Sequence, residues 1–128
     1  LQIDRGQLLI TSTGNDPHLS FQLPKPIPPG KYRLHLSITA EARGRGQWFW
    51  QEQGKQPPFF RDRSVTFDLQ HDGRLHDQVV EFECRSSLVA VRLDPGQGAG
   101  TVRLHALELR DPDDKPVYSW QWTQQGSR

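Results

Sequence analysis

The chain contains no methionine, one cysteine, no long apolar run and no excess of either charge. A single Cys84 cannot close an internal disulfide. It falls in the apolar alternation Val80, Phe82, Cys84, which makes it a buried free thiol. No apolar stretch approaches the ~20 residues of a membrane-spanning helix, and the mean hydropathy is -0.75, so no membrane partner is expected. Sixteen Lys and Arg against 15 Asp and Glu give a net charge of +1. That balance lacks the basic stripe of a nucleic-acid binder. The start has no secretion-signal pattern. Leu1–Gly6 (LQIDRG) reads as mid-protein sequence. The expectation is a module excised from a larger parent that is secreted or periplasmic.

Catalytic motifs are also missing. Ser64 and Ser87 sit in no G-x-S-x-G elbow. Glu81 and Glu83 share a strand face, where solvation explains them without glycoside chemistry. The domain is therefore not expected to be an enzyme. The five His form no H-x-x-x-H pattern, and C-x-x-C is absent. Asp16, Asp111, Asp113 and Asp114 are loop acids. They could supply oxygen to a structural calcium or simply form turns.

The chain does contain strands. Its 128 residues suit one domain with a real core. Residues 1–122 are read as a single module and 123–128 as a tail or linker. Between Lys31 and Ala40, Tyr32, Leu34, Leu36, Ile38 and Ala40 share one face, and polar residues share the other. This is the period of a sheet with one face on a core. Further runs are Leu8–Thr13, His18–Leu23, Gln47–Glu52, Arg63–Leu69, His76–Cys84, Leu88–Leu93, Thr101–Arg110 and Val117–Trp122. Pro24–Gly30 (PKPIPPG) reads as a loop. Asp72-Gly73 marks a hairpin. In Thr101–Arg110 the inward set Val102, Leu104, Ala106 slips to Leu107, Leu109, which predicts a β-bulge. No segment shows a helical period and no long repeat is visible. The pattern predicts an all-β fold, an antiparallel β-sandwich of jelly-roll type with nine to ten strands.

Aromatic residues concentrate in Gly46–Phe60 (GQWFWQEQGKQPPFF). A sugar ring has an apolar C–H face and a hydroxyl rim, so its binder combines a flat ring with planar polar side chains. Alternation in Gln47–Glu52 allows two outcomes. If Phe49 faces the core, Trp48 and Trp50 face solvent and form a stacking groove with Arg61 and Arg63. If the Trp pair is core, only Phe49 is exposed. The first outcome gives the expected ligand set Trp48, Trp50, Phe59, Arg61 and Arg63. The two arginines could also grip sulfate or carboxylate on an anionic glycan. Trp120 and Trp122 share a face and offer a second reading, a structural domain that docks on an adjacent catalytic domain.

The order of motifs resembles the galactose-binding-like β-sandwich superfamily, which includes many carbohydrate-binding modules of sulfatases and glycoside hydrolases. The resemblance rests on Gly14–Pro17 (GNDP), Gly30–Ile38 (GKYRLHLSI), the G-x-x-F-W strand Gly46–Trp50, Ser64–Leu69 (SVTFDL) and Val91–Asp111 (VRLDPGQGAGTVRLHALELRD). It implies sugar binding at loops on one end of the sandwich or on a concave sheet face. It also implies a structural calcium between early and late strands, which here would rest on Asp16 and Asp111. The expected function is a non-catalytic carbohydrate-binding accessory module whose partners are a polysaccharide or oligosaccharide and the parent's adjacent domains.

Overall fold

The computed structural model describes residues 2–4, 7–12 and 18–120. These form ten strands and one 3-10 turn, with no α-helix among the described residues. In chain order they are β1 (Gln2–Asp4), β2 (Gln7–Ser12), β3 (Leu19–Ile27), β4 (Gly30–Glu41), β5 (Gly46–Glu52), the 3-10 turn Arg61–Arg63, β6 (Ser64–Phe67), β7 (Leu75–Cys84), β8 (Leu88–Asp94), β9 (Gly100–Arg110) and β10 (Pro116–Trp120). Two antiparallel sheets pack as a jelly-roll sandwich. The six-stranded sheet runs β1-β2-β9-β4-β7, and the four-stranded sheet runs β3-β8-β5-β6. One edge of β9 pairs with β4. The other is shared, by β2 over Gly100–Leu104 and by β10 over Leu107–Arg110.

The alternation of β4 settles its two faces. Tyr32, Leu34, Leu36, Ile38 and Ala40 are buried, and the polar set faces out. The slip in β9 is a bulge. Ser37 pairs with Ala106 and Ile38 with Leu104, so His105 is the extra residue. The bulge turns Ala106 outward rather than inward and returns Leu107 and Leu109 to the core. His105 Nε2 lies 2.8 Å from Thr39 Oγ1.

The strand at Leu19 runs further than its prolines suggested. β3 extends to Ile27 through Pro24 and Pro26. It is an edge strand, and its pairing with β8 jumps from Gln22–Ala90 to Ile27–Leu88. Proline lacks a ladder donor, and an edge with a skipped register needs none there. β1 was not anticipated from the sequence. Residues 13–17 and 121–128, including Asp16 and Trp122, lie outside the described residues.

Trp48 and Trp50 are core residues, 0% and 5% exposed. This corrects the expected solvent-facing pair. Gly46 shares their phase, and a Cβ there would lie 2.4 Å from the Phe67 ring inside the sandwich. Polar cost also favours this phase. Burying the alternate set would take Gln47 and Gln51 out of water together with one smaller ring. The observed set buries two indoles and a single carboxylate, Glu52. Trp48 meets Phe82 and Trp120 edge-on, with ring centroids 6.0 and 6.5 Å away. Trp50 lies 4.8 Å from Phe82. Trp120 is buried against Phe21 and Tyr118, so it seals the sandwich from within.

Cys84 is buried as expected. Desolvation, reinforced by Glu52 and Glu83, pushes its thiol from 9.0 up to about 12. A thiol-labelling reagent is therefore expected to leave the native protein unmodified and to react on unfolding in guanidinium. An acid whose folded pKa is raised favours the unfolded chain once its unfolded pKa is passed. Its contribution is full below pH 9.0 and is lost as pH rises through about 12. Unfolding titrations of wild type and Cys84→Ala across that window check this, since the variant should lose less stability in alkali.

Candidate functional site

The phase that buries the Trp pair turns Gln47, Phe49 and Gln51 outward on the four-stranded sheet. Strand register then assembles three rows across this face. Gln22, Ala90 and Gln51 form one row. Ser20, Arg92, Phe49 and Ser64 form the next. Asp94, Gln47 and Thr66 form the third. The middle row holds the only half-exposed ring of the surface described by these rows. The Arg92 guanidinium carbon stands over the Phe49 ring, 5.0 Å from its centroid, a cation–π geometry. Arg92 is held in place by Asp94, with Nε to Oδ1 at 2.7 Å and Nη2 to Oδ2 at 2.9 Å. This is a bidentate fork of the stronger hydrogen-bond type. Gln47 Nε2 donates to Ser64 Oγ at 2.9 Å. A ring and a guanidinium thus form a fixed plate bordered by amide side chains. Of this plate the sequence reading named only Phe49, and only as its second outcome. Arg92 carried a usable signal: it is the one charged residue inside the apolar run Leu88–Leu93, so it must face outward.

A second concave feature lies where the β5–β6 and β7–β8 connections meet. It is a cleft of about 360 Å³. Its inner wall is Trp50 and Glu52. Glu52 is 4% exposed, and its Oε2 accepts from Trp50 Nε1 at 3.0 Å and from the Arg85 amide at 3.2 Å. Lys55, Asp62 and Arg63 enter from the β5–β6 connection, and Glu83 and Arg85 from β7 and its following turn. Arg63 Nη2 donates to the Pro57 carbonyl. Its Nε is buried and has no hydrogen-bond partner.

The five expected ligand residues are thus split. Arg63 lines the end cleft, together with the buried edge of Trp50. Arg61 is exposed and lies 6.0 Å from the Phe60 ring centroid. Phe59 is half-buried in the same connection and Phe60 is 38% exposed. Trp48 is removed from any surface.

On the outer face of the six-stranded sheet a cluster of charges pair with one another. Arg33, His35 and Arg110 surround Asp114, with His35 Nε2 and Arg110 Nη1 at 3.1 and 3.0 Å. Burial would raise the Asp114 carboxyl, but Arg110, His35 and Arg33 together hold it below its ordinary value. Asp111 uses Oδ1 to accept from the Asp113 and Lys115 amides, both at 2.9 Å, so it shapes the β9–β10 turn. Among the described residues no group of three His, Cys, Asp or Glu is assembled to hold a metal ion.

No protein-family model matches the chain, and no curated protein matches it. Solved structures do. The structure named "BiXyn10A CBM1 APO" gives a TM-score of 0.49 at 12% identity, over 84% of this chain and 82% of that one. A carbohydrate binding module (CBM6cm-2) from Cellvibrio mixtus lichenase 5A, in complex with cellotriose, gives 0.42 at 12% identity, over 78% and 86%. The structure named "PbXyn10C CBM APO" gives 0.62 at 16% identity, over 94% of this chain and 76% of that one. At that identity the likeness is one of architecture: the chain shares the two-sheet antiparallel sandwich of the PbXyn10C CBM.

Proposed function

We propose that the domain is a non-catalytic carbohydrate-binding module, part of a larger secreted polysaccharide-active enzyme, that tethers its parent to a glycan. The observation that carries this reading is the Phe49–Arg92 plate with its border of Gln22, Gln47 and Gln51. An aromatic face takes the apolar C–H side of a pyranose. Amides both donate and accept, which suits ring hydroxyls. The Asp94 fork fixes Arg92 before ligand arrives, so little side-chain entropy is lost on binding. The fold likeness to a structure named as a CBM supports the same reading. Nothing in the plate performs chemistry; it offers a surface for recognition.

Affinity electrophoresis against neutral and acidic polysaccharides, followed by calorimetry on the best ligand, tests this. Phe49→Ala is expected to weaken binding by about 1–2 kcal/mol, about 5- to 30-fold, while its unfolding curve stays near wild type. Phe49→Tyr keeps the ring and should keep the affinity. A protein mobility that no polysaccharide retards, or an unaltered affinity in Phe49→Ala, overturns the assignment.

A further inference from the structure

We propose that the cleft between the β5–β6 and β7–β8 connections is a separate site for a sugar residue bearing an oxyanion, either a carboxylate or a sulfate ester. The first reason is Arg63. Its Nε is buried and without a hydrogen-bond partner, and a buried donor left in that state is costly. Its side chain is already oriented, because Nη2 donates to the Pro57 carbonyl. The local backbone is fixed too. The Arg63 amide donates to the Phe60 carbonyl at 2.8 Å, and Ser64 Oγ to the Arg61 carbonyl at 2.7 Å. Arg63 thus lines the cleft with part of its hydrogen-bonding capacity unused, and an oxyanion is the strongest acceptor for a guanidinium.

The second reason is that the charged side chains of the cleft form no ion pairs with one another. Lys55, Arg63 and Arg85 face the same space as Glu52, Asp62 and Glu83. None of the six forms an ion pair among the described residues, whereas Arg33, His35 and Arg110 on the six-stranded sheet's outer face are paired. The acids set the second requirement. A bare inorganic anion brings no hydrogen-bond donor to Asp62 or Glu83, but sugar hydroxyls do. Trp50 adds an apolar wall, and 360 Å³ lies at the small-ligand end of the usual range of roughly 300–1,000 Å³. A ligand with one oxyanion and a hydroxylated ring meets all of these demands at once.

The cleft shares no residue with the Phe49–Arg92 plate, so the two assignments stand or fall separately. The Trp50 indole N–H, bonded to Glu52 at the cleft wall, is a built-in reporter for ¹⁵N NMR titration. Glucuronate, glucose 6-sulfate, glucose and sodium sulfate are the probes. Glucuronate or glucose 6-sulfate is expected to shift the Trp50 signal to saturation, and the tighter of the two names the oxyanion. Affinity should fall about tenfold or more in Arg63→Gln and stay unchanged in Phe49→Ala. If Arg63→Gln does not fold, Lys55→Gln and Arg85→Gln replace it and should each weaken binding. The proposal is overturned if neither sugar acid binds, if glucose or sodium sulfate binds as tightly, or if the charge-removing variants keep full affinity.

Discussion

Trp48→Ala is expected to lower the free energy of unfolding by about 3–5 kcal/mol, measured by urea denaturation. Domains of this kind have about 5–15 kcal/mol in total, so the variant stands near the limit of folding. Trp48 has no exposed surface and joins the two sheets. Its ring touches Phe82 from β7 and Trp120 from β10, while Leu93 and Val65 flank it on its own sheet. Alanine would leave a cavity that these neighbours, fixed in two hydrogen-bonded ladders, cannot collapse to fill. Trp48→Phe should cost far less. The indole Nε1 is buried and has no partner, so phenylalanine removes an unsatisfied donor while retaining most of the apolar volume. A wild-type midpoint in Trp48→Ala would contradict the inward phase of β5. It would return Trp48 to the surface and to the ligand set first expected of it.

That phase shows where the sequence was legible and where it was not. Alternation located the core of β4 because one face is apolar at every position and the other polar. That β9 bulges was equally readable, though not its place at His105, since two apolar sets in opposite phase cannot share a regular strand. In β5 both faces carry aromatic rings, so periodicity alone left the choice open. It is decided by the tertiary partners Phe67, Phe82 and Trp120, all distant in sequence. Proline content hid the second half of β3, because tolerance of proline depends on being an edge strand, a property of sheet order. The juxtaposition of Phe49 and Arg92 is invisible for the same reason. Register between β5 and β8 places the two residues opposite each other, and no local motif records that pairing. Arg63 was expected in a groove beside an outward Trp pair; its place in an end cleft with Arg85 depends on two connections that meet only in the folded chain.

Gly100→Ala is expected to destabilise by about 3–5 kcal/mol, the sum of backbone strain and collision, whereas Gly54→Ala should cost only about 1 kcal/mol. The two glycines separate causes that usually act together. Both hold positive φ, +81° at Gly54 and +147° at Gly100. A Cβ on Gly54 would meet nothing within 4 Å, so alanine there bears strain alone. Part of that strain is offset by the smaller entropy of the unfolded chain. A Cβ on Gly100 would lie 2.4 Å from the Glu41 carbonyl oxygen and 2.7 Å from Ala42 Cα. Those are backbone atoms at the end of β4, and β4 is tied to β7 and β9 along its length. They cannot retreat without opening the ladder at Glu41–Thr101, where β9 begins. Urea midpoints of the two variants, read at equal slope, check the contrast. Equal losses would mean that conformation rather than contact sets the requirement for glycine at the start of β9. A larger loss at Gly100 assigns the difference to close packing of β4 against the Gly100 backbone.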